Sequence, residues 1–119
     1  MKLLQNILIL CLMFLSSTTI LAQKDSLALQ RKARGLVRDG NKLYEQEKYT
    51  DASVAYKKAL ENSASYEKAS YNLGNAMYQN KNYKEAVPQF ELSAKTAKDK
   101  SSKAEEYHNL GNAFMETKN

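Results

Sequence analysis

Asn72-Leu73-Gly74-Asn75-Ala76 returns, thirty-seven positions on, as Asn109-Leu110-Gly111-Asn112-Ala113. Working back from the same stretch, Gly74-Asn75 with Tyr78 repeats Gly40-Asn41 with Tyr44 at a shift of 34. That shift also carries Tyr49 to Tyr83, Ala52 to Ala86, Tyr56 to Phe90 and Ala59 to Ser93. Small and aromatic residues that recur at one offset mark a repeat architecture, in which each copy is one supersecondary unit. The step from 34 to 37 places three added residues between Ala94 and Ala104.

Inside each copy the period is that of a helix. Leu36, Gly40 and Leu43 fall at i, i+4 and i+7, as do Tyr66, Ser70 and Leu73, and each set lines one stripe. Ala52, Tyr56, Ala59 and Leu60 form a second stripe beyond a short polar break at Glu45 to Lys48, so each copy is two helices, A and B. Asn82 followed three places later by Glu85 is a helix-start signature for the second B helix. Pro88 then removes a backbone donor and is expected to bend or shorten the first turn. Where A and B approach, small residues are needed, and Gly40 with Ala52, or Gly74 with Ala86, supply them. Tyr56 and Phe90 are placed to fill the gap to the next copy, and Tyr49 and Tyr83 to brace the start of each B helix. A lone hairpin cannot bury its apolar face, so neighbours stack in a row.

The chain opens differently. Lys2 precedes an apolar run from Leu3 to Leu15, then small polar residues Ser16 to Thr19 and Ile20-Leu21-Ala22. That order is the order of a secretory signal with Ala22 as the last residue removed, and the run falls short of the ~20 apolar residues of a spanning helix. Processing there would leave residues 23–119 and take away Cys11, the only cysteine, so neither a disulfide nor a thiolate metal site is expected. It would also leave 17 basic against 13 acidic residues, spread from Lys24 to Lys118, a balance that suits solubility rather than nucleic acid.

A 34-residue helix-turn-helix unit with Leu-Gly, a downstream Tyr, then Ala, an aromatic and a second small residue resembles the tetratricopeptide repeat (TPR). Gly40, Tyr49, Ala52, Tyr56 and Ala59 carry the likeness in the first unit. Leu73, Gly74, Tyr83, Ala86 and Phe90 carry it in the second, and Tyr107, Leu110, Gly111 and Phe114 in the third. Asp39 stands where the family usually has Leu, Ser93 replaces the second small Ala, and Ala64 and Lys98 stand near the family's Pro, departures that loosen the turns. The resemblance implies an all-α, right-handed α-solenoid of antiparallel hairpins, with two full repeats and the first helix of a third. The expected division is signal 1–22, lead-in 23–32, repeat one 33–66, repeat two with its insertion 67–103, and partial repeat three 104–119. Lys95 to Lys103 reads as a solvated helix end and loop carrying the insertion. The strings Ala33-Arg34-Gly35-Leu36-Val37-Arg38-Asp39-Gly40-Asn41-Lys42-Leu43-Tyr44, Tyr71 to Asn75 and Tyr107 to Ala113 are also similar to BatC-like proteins of the Bat aerotolerance operon. That narrower likeness implies a periplasmic or membrane-associated adaptor beside von Willebrand-type membrane partners.

In such a stack the A helices line the concave side. Counting from the buried stripe, the groove falls to Arg34, Val37, Arg38, Asn41 and Tyr44, then to Lys68, Tyr71, Asn72, Asn75 and Tyr78. Glu105, His108, Asn109, Asn112 and Met115 follow in the third unit. Amides that donate and accept, beside broad tyrosine rings, suit a polypeptide main chain. Asn41, Asn75 and Asn112 directly follow the packed glycines and are the ones most open to use within the fold, whereas Asn72 and Asn109 lean toward the groove. Val37, Glu105 and Asn109 occupy positions where carboxylate-clamping members carry lysine or arginine, which argues against such a clamp.

His108 is the only histidine and has no ligand set around it, so no metal or other cofactor is expected. The sequence carries no glycine-rich phosphate loop, activated nucleophile or paired carboxylates, so the reading is non-enzymatic, without a small-molecule substrate. The expected partner is a protein or peptide of the cell envelope, a membrane protein in the Bat manner among them, and not nucleic acid. Two other readings stand beside it: an oligomerisation spacer docking through Leu110 to Met115, and a part of a longer repeat protein.

Overall fold

The computed structural model describes residues 1–119 as five helices and no strand. They are α1 (Lys2–Glu45), α2 (Tyr49–Asn62), α3 (Glu67–Gln79), α4 (Tyr83–Thr96) and α5 (Lys100–Thr117). Each helix packs on the next, and α1 also touches α3, which is the stacking order A-B-A-B-A. Every buried residue lies at or beyond Ala33. The core is one cluster from Ala33 and Val37 through Tyr56, Leu73 and Phe90 to Leu110 and Ala113.

α1 runs unbroken through residues 22 and 23, because nothing between Leu3 and Arg34 is a glycine or proline that would stop it. At about 1.5 Å per residue its 44 residues account for most of the 75 Å long dimension. Its first half is bare of contacts, and an 18-residue window there has a mean hydropathy of 1.9. Measured as helix, then, the leading segment is longer than its apolar run alone suggests. Its length and composition fit a membrane-crossing segment as well as a removed signal.

The two interhelix turns within the hairpins are the same device. Lys48 N donates to Leu43 O and Glu47 N to Tyr44 O, each at 2.9 Å; Asn82 N donates to Met77 O at 2.8 Å and Lys81 N to Tyr78 O at 2.9 Å. This is the Schellman closure, and its left-handed residue is Glu47 (φ 58) in one turn and Lys81 (φ 61) in the other. A side chain in that region costs about 1–2 kcal/mol, so both hairpins hold their turns against local strain. The closure also explains why the expected Asn82 cap makes no side-chain bond. With ψ at 60° its backbone is set by the preceding turn, whereas extended Asp99 (ψ 156) does accept from Ser102 N at 2.9 Å. Pro88 neither shortens nor interrupts α4, which matches α2 at 14 residues. Its ring lies on the exposed side, where water can take the Lys84 carbonyl it leaves unpaired.

Three expectations are corrected by the packing. What stands nearest the glycines is not Ala52 or Ala86 but the aromatic residue: a Cβ on Gly40 would stand 2.5 Å from the Tyr56 ring, and one on Gly74 2.8 Å from the Phe90 ring. The aromatic residue of the B helix therefore packs directly against its own hairpin's glycine. Second, the buried line of α1 is Ala33, Val37 and Gly40, with Leu36 and Leu43 only half-buried beside it. Third, the insertion is helix rather than loop. α5 starts four residues ahead of the position equivalent to Glu67, after a link one residue shorter (97–99 against 63–66), and Asp99 caps the added turn.

Candidate functional site: the inner face of the A helices

Three hollows run along the side where α1, α3 and α5 face the same way. The first, about 520 Å³, is edged by Arg31, Arg34, Arg38 and Lys68 over a floor of Val37, and no carboxylate lines it. The second, about 270 Å³, lies between α1 and α3 and is lined by Asn41, Tyr44, Glu45, Tyr56, Asn72 and Asn75. The third, about 160 Å³, lies between α3 and α5 among Asn75, Tyr78, Gln79, Phe90, Asn109 and Asn112. Asn75 is thus shared by the second and third.

Of the residues assigned to the groove, Arg34, Arg38 and Lys68 surround the first hollow, and Asn41, Tyr44, Asn72, Asn75, Tyr78, Asn109 and Asn112 line the other two. Tyr71 lines none of the three and is bonded to Glu105 and Asn109 of α5. His108 and Met115 are exposed and line none of these hollows. Val37 is a core residue, 5 % exposed, that reaches the groove only as the floor of the first hollow, because α1 turns its Ala33-Val37-Gly40 line toward α2 and α3. Arg31, Tyr66, Glu45 and Gln79 were not anticipated. Arg31 and Tyr66 precede their repeat units, and Glu45 and Gln79 close the A helices, so counting within a helix did not reach them.

The tyrosines are held by the repeat. Tyr44 meets Tyr49, and Tyr78 meets Tyr83, each edge-on at 5.0 Å. Each A helix is thereby tied to the first residue of its B helix. Tyr56 donates to Asn41 Oδ1 at 2.8 Å, and Asn72 Nδ2 donates to the same oxygen at 2.8 Å. Burial pushes the Tyr56 hydroxyl up to about 12, so it remains a donor across the physiological range. In the second repeat Phe90 has no hydroxyl to offer, and the pattern changes. Tyr71 donates to Glu105 at 2.5 Å and accepts from Asn109 Nδ2 at 3.0 Å, while Asn75 lies near enough to the same hydroxyl to favour its ionised form without a well-formed hydrogen bond to it. Asn72 and Asn109, expected to lean toward a ligand, are thus engaged within the fold, and Asn75 is the amide left open.

Glu106 was not anticipated at all. It is 3 % exposed, its Oε2 has no hydrogen-bond partner, and burial, with Glu67 next in effect and Asp99 and Glu105 adding, raises its carboxyl to about 7. It occupies the position equivalent, at the 37-residue shift, to fully buried Ala69. The folded chain holds this proton more tightly than the unfolded one. The associated stability, on the order of 3 kcal/mol at most, is therefore full below about pH 4.5 and lost as pH rises to about 7. Glu106→Gln is expected to raise the melting temperature at pH 8 and leave it nearly unchanged at pH 4, as read by circular dichroism. No three His, Cys, Asp or Glu side chains are gathered to hold a metal ion.

Stacked antiparallel hairpins with an amide-lined inner face have the architecture of a TPR-type α-solenoid. The family model described as TPR repeat matches residues 40–81. Among solved structures, the chain is similar to YrrB, described as a TPR protein with an unusual peptide-binding site, at 24 % identity and a TM-score of 0.65. The match covers 86 % of this chain and 48 % of that one, so the chain spans about half the length of the structure it matches. No curated protein matches it.

Proposed function

We propose that this chain is an exported adaptor that binds an extended polypeptide segment along the inner face of α1, α3 and α5. One observation carries the reading: Asn75 presents its amide at the junction of two hollows, beside the Tyr71 hydroxyl and between rows of half-buried Asn and Tyr. A primary amide there can donate to and accept from one peptide unit at once, and the tyrosines on either side add contact at low entropic cost. Arg31, Arg34, Arg38 and Lys68 at one end favour a segment acidic at that end, with binding that weakens as salt is added. The peptide-binding site named for YrrB agrees with this use of the fold. The apolar leading segment of α1 supports delivery to the cell envelope, and the finer form of the reading is a Bat-type adaptor beside membrane partners.

Panning a random peptide library on the full chain in mild detergent tests it. The enriched peptides are expected to carry acidic residues at one end and to lose about tenfold in affinity to Asn75→Ala, with the melting temperature unchanged. Enriched peptides indifferent to Asn75→Ala, or none, would remove the groove from the account.

A further inference from the structure

Three residues of α5 are buried, and one of them is a carboxylic acid. Glu106, one turn before Leu110, completes with Leu110 and Ala113 the stripe that α5 turns toward the preceding hairpin. The equivalent stripe of α3 is Ala69, Leu73 and Ala76, apolar throughout and flanked by buried Ser70 and Met77. Glu106 is poorly placed to carry a charge. Its Oε2 is shut from water without a hydrogen-bond partner, and the groups that bear on it are acidic: Glu67 from α3, Asp99 from the link before α5 and Glu105 from its own helix. α4 packs along α5, but its charged residues Lys84, Glu85, Glu91 and Lys95 are all exposed and none is among those groups. Neutral, the carboxyl is tolerated in the seam; ionised, it is a buried charge without a counter-ion, relieved only when the seam opens to water.

The sign follows from burial, the larger cause, and from Glu67 after it. Together they hold the carboxyl at about 7 with the seam closed, against 4.5 in water. Closure is therefore favoured in full below about pH 4.5 and loses about tenfold per pH unit up to about 7. The same seam builds half of the inner face. Tyr71 of α3 donates to Glu105 and accepts from Asn109, which stand one residue before and three after Glu106, and the third hollow lies between α3 and α5.

We infer that the seam between α5 and the α3–α4 hairpin is a pH-operated joint, closed in mildly acidic surroundings and loosened in mildly alkaline ones. It is made on the side of α5 that faces the earlier repeats, and it stands whether or not the groove takes a peptide. Its consequence for a ligand rests on the peptide reading above: the α3–α5 half of the groove is complete only while the joint is closed.

Hydrogen exchange of the full chain in mild detergent, read by mass spectrometry at pH 5 and pH 8 with intrinsic rates divided out, tests the joint. The amides of α5 are expected to lose roughly fiftyfold in protection at pH 8 while those of α2 keep theirs. In Glu106→Gln the loss is expected to shrink to about threefold or less. Glu106→Ala, which places in α5 the residue found at Ala69, is the second variant should the glutamine melt early, and the same result is expected. Protection of α5 that does not change with pH, an equal loss in α2, or the full loss in both variants overturns the proposal. A peptide enriched by the panning above is expected to bind up to about tenfold more weakly at pH 8 than at pH 6, and equally at both in Glu106→Gln. No peptide at either pH, with α5 still loosening, would leave the joint standing and remove only the groove. Equal binding at both pH values while α5 loosens would overturn the link between the two.

Discussion

Truncating Phe90 to alanine is expected to cost about 3–5 kcal/mol, the range for emptying a buried aromatic site that cannot collapse. The ring is 1 % exposed, roofs Gly74 and meets Tyr71 edge-on at 6.1 Å, so its loss leaves a hole shared by α3 and α4. In a domain of this size each kcal/mol moves the melting temperature by roughly 4–8 °C, and a fall well above 10 °C is expected in a circular dichroism melt. A fall of less than about 5 °C would show that the hairpins are not held by their aromatic roofs.

The second large effect is a contrast between two identical substitutions. Gly40→Leu places its first side-chain atom against a buried Tyr56 ring whose hydroxyl is already committed to Asn41. Overpacking of this kind costs typically about 1–3 kcal/mol, and the upper end is expected because neither ring nor backbone has room to move. Gly111→Leu enters open space, and removing a mid-helix glycine there gains up to about 1 kcal/mol of helix propensity. The two variants are therefore expected to shift the melting temperature in opposite directions. Equal losses would mean that α5 is covered by something the other two A helices also touch.

Much of this was legible in the chain. The Gly-Asn and aromatic recurrences at 34 and 37 are sufficient for the helical hairpins and their order, though not for where α1 and α5 begin, because a hairpin that must stack leaves few other arrangements. Which side chain faces which glycine was not, since spacing along one helix does not say how the partner helix is rotated about its own axis. That the Tyr56 ring is the nearest neighbour of Gly40 was hidden for that reason. The same lack of a rotation placed Val37 in the groove when α1 turns it into the core. The insertion became helix because Asp99 and Ser102 form a cap that a loop reading of the lysine-rich stretch passed over. Buried Glu106 could have been found: extending the 37-residue shift by a few positions sets a carboxylate where the second repeat has Ala69.

Within the site, the separation of the amides into engaged and open ones turned on a single oxygen. Tyr56 carries a hydroxyl and Phe90 does not, so Asn41 is claimed by the hairpin and Asn75 is released to the hollows. That difference stood in the sequence, but its consequence required knowing that the ring tip reaches the residue after the glycine.

Site-specific photocrosslinking reads the binding face directly. A photoreactive residue replacing Asn75 in the full chain expressed in living cells is expected to yield discrete polypeptide adducts, and the same residue at exposed Val54 on α2 is not. Adducts that form at position 54 but not at 75 would contradict a polypeptide held along the inner face.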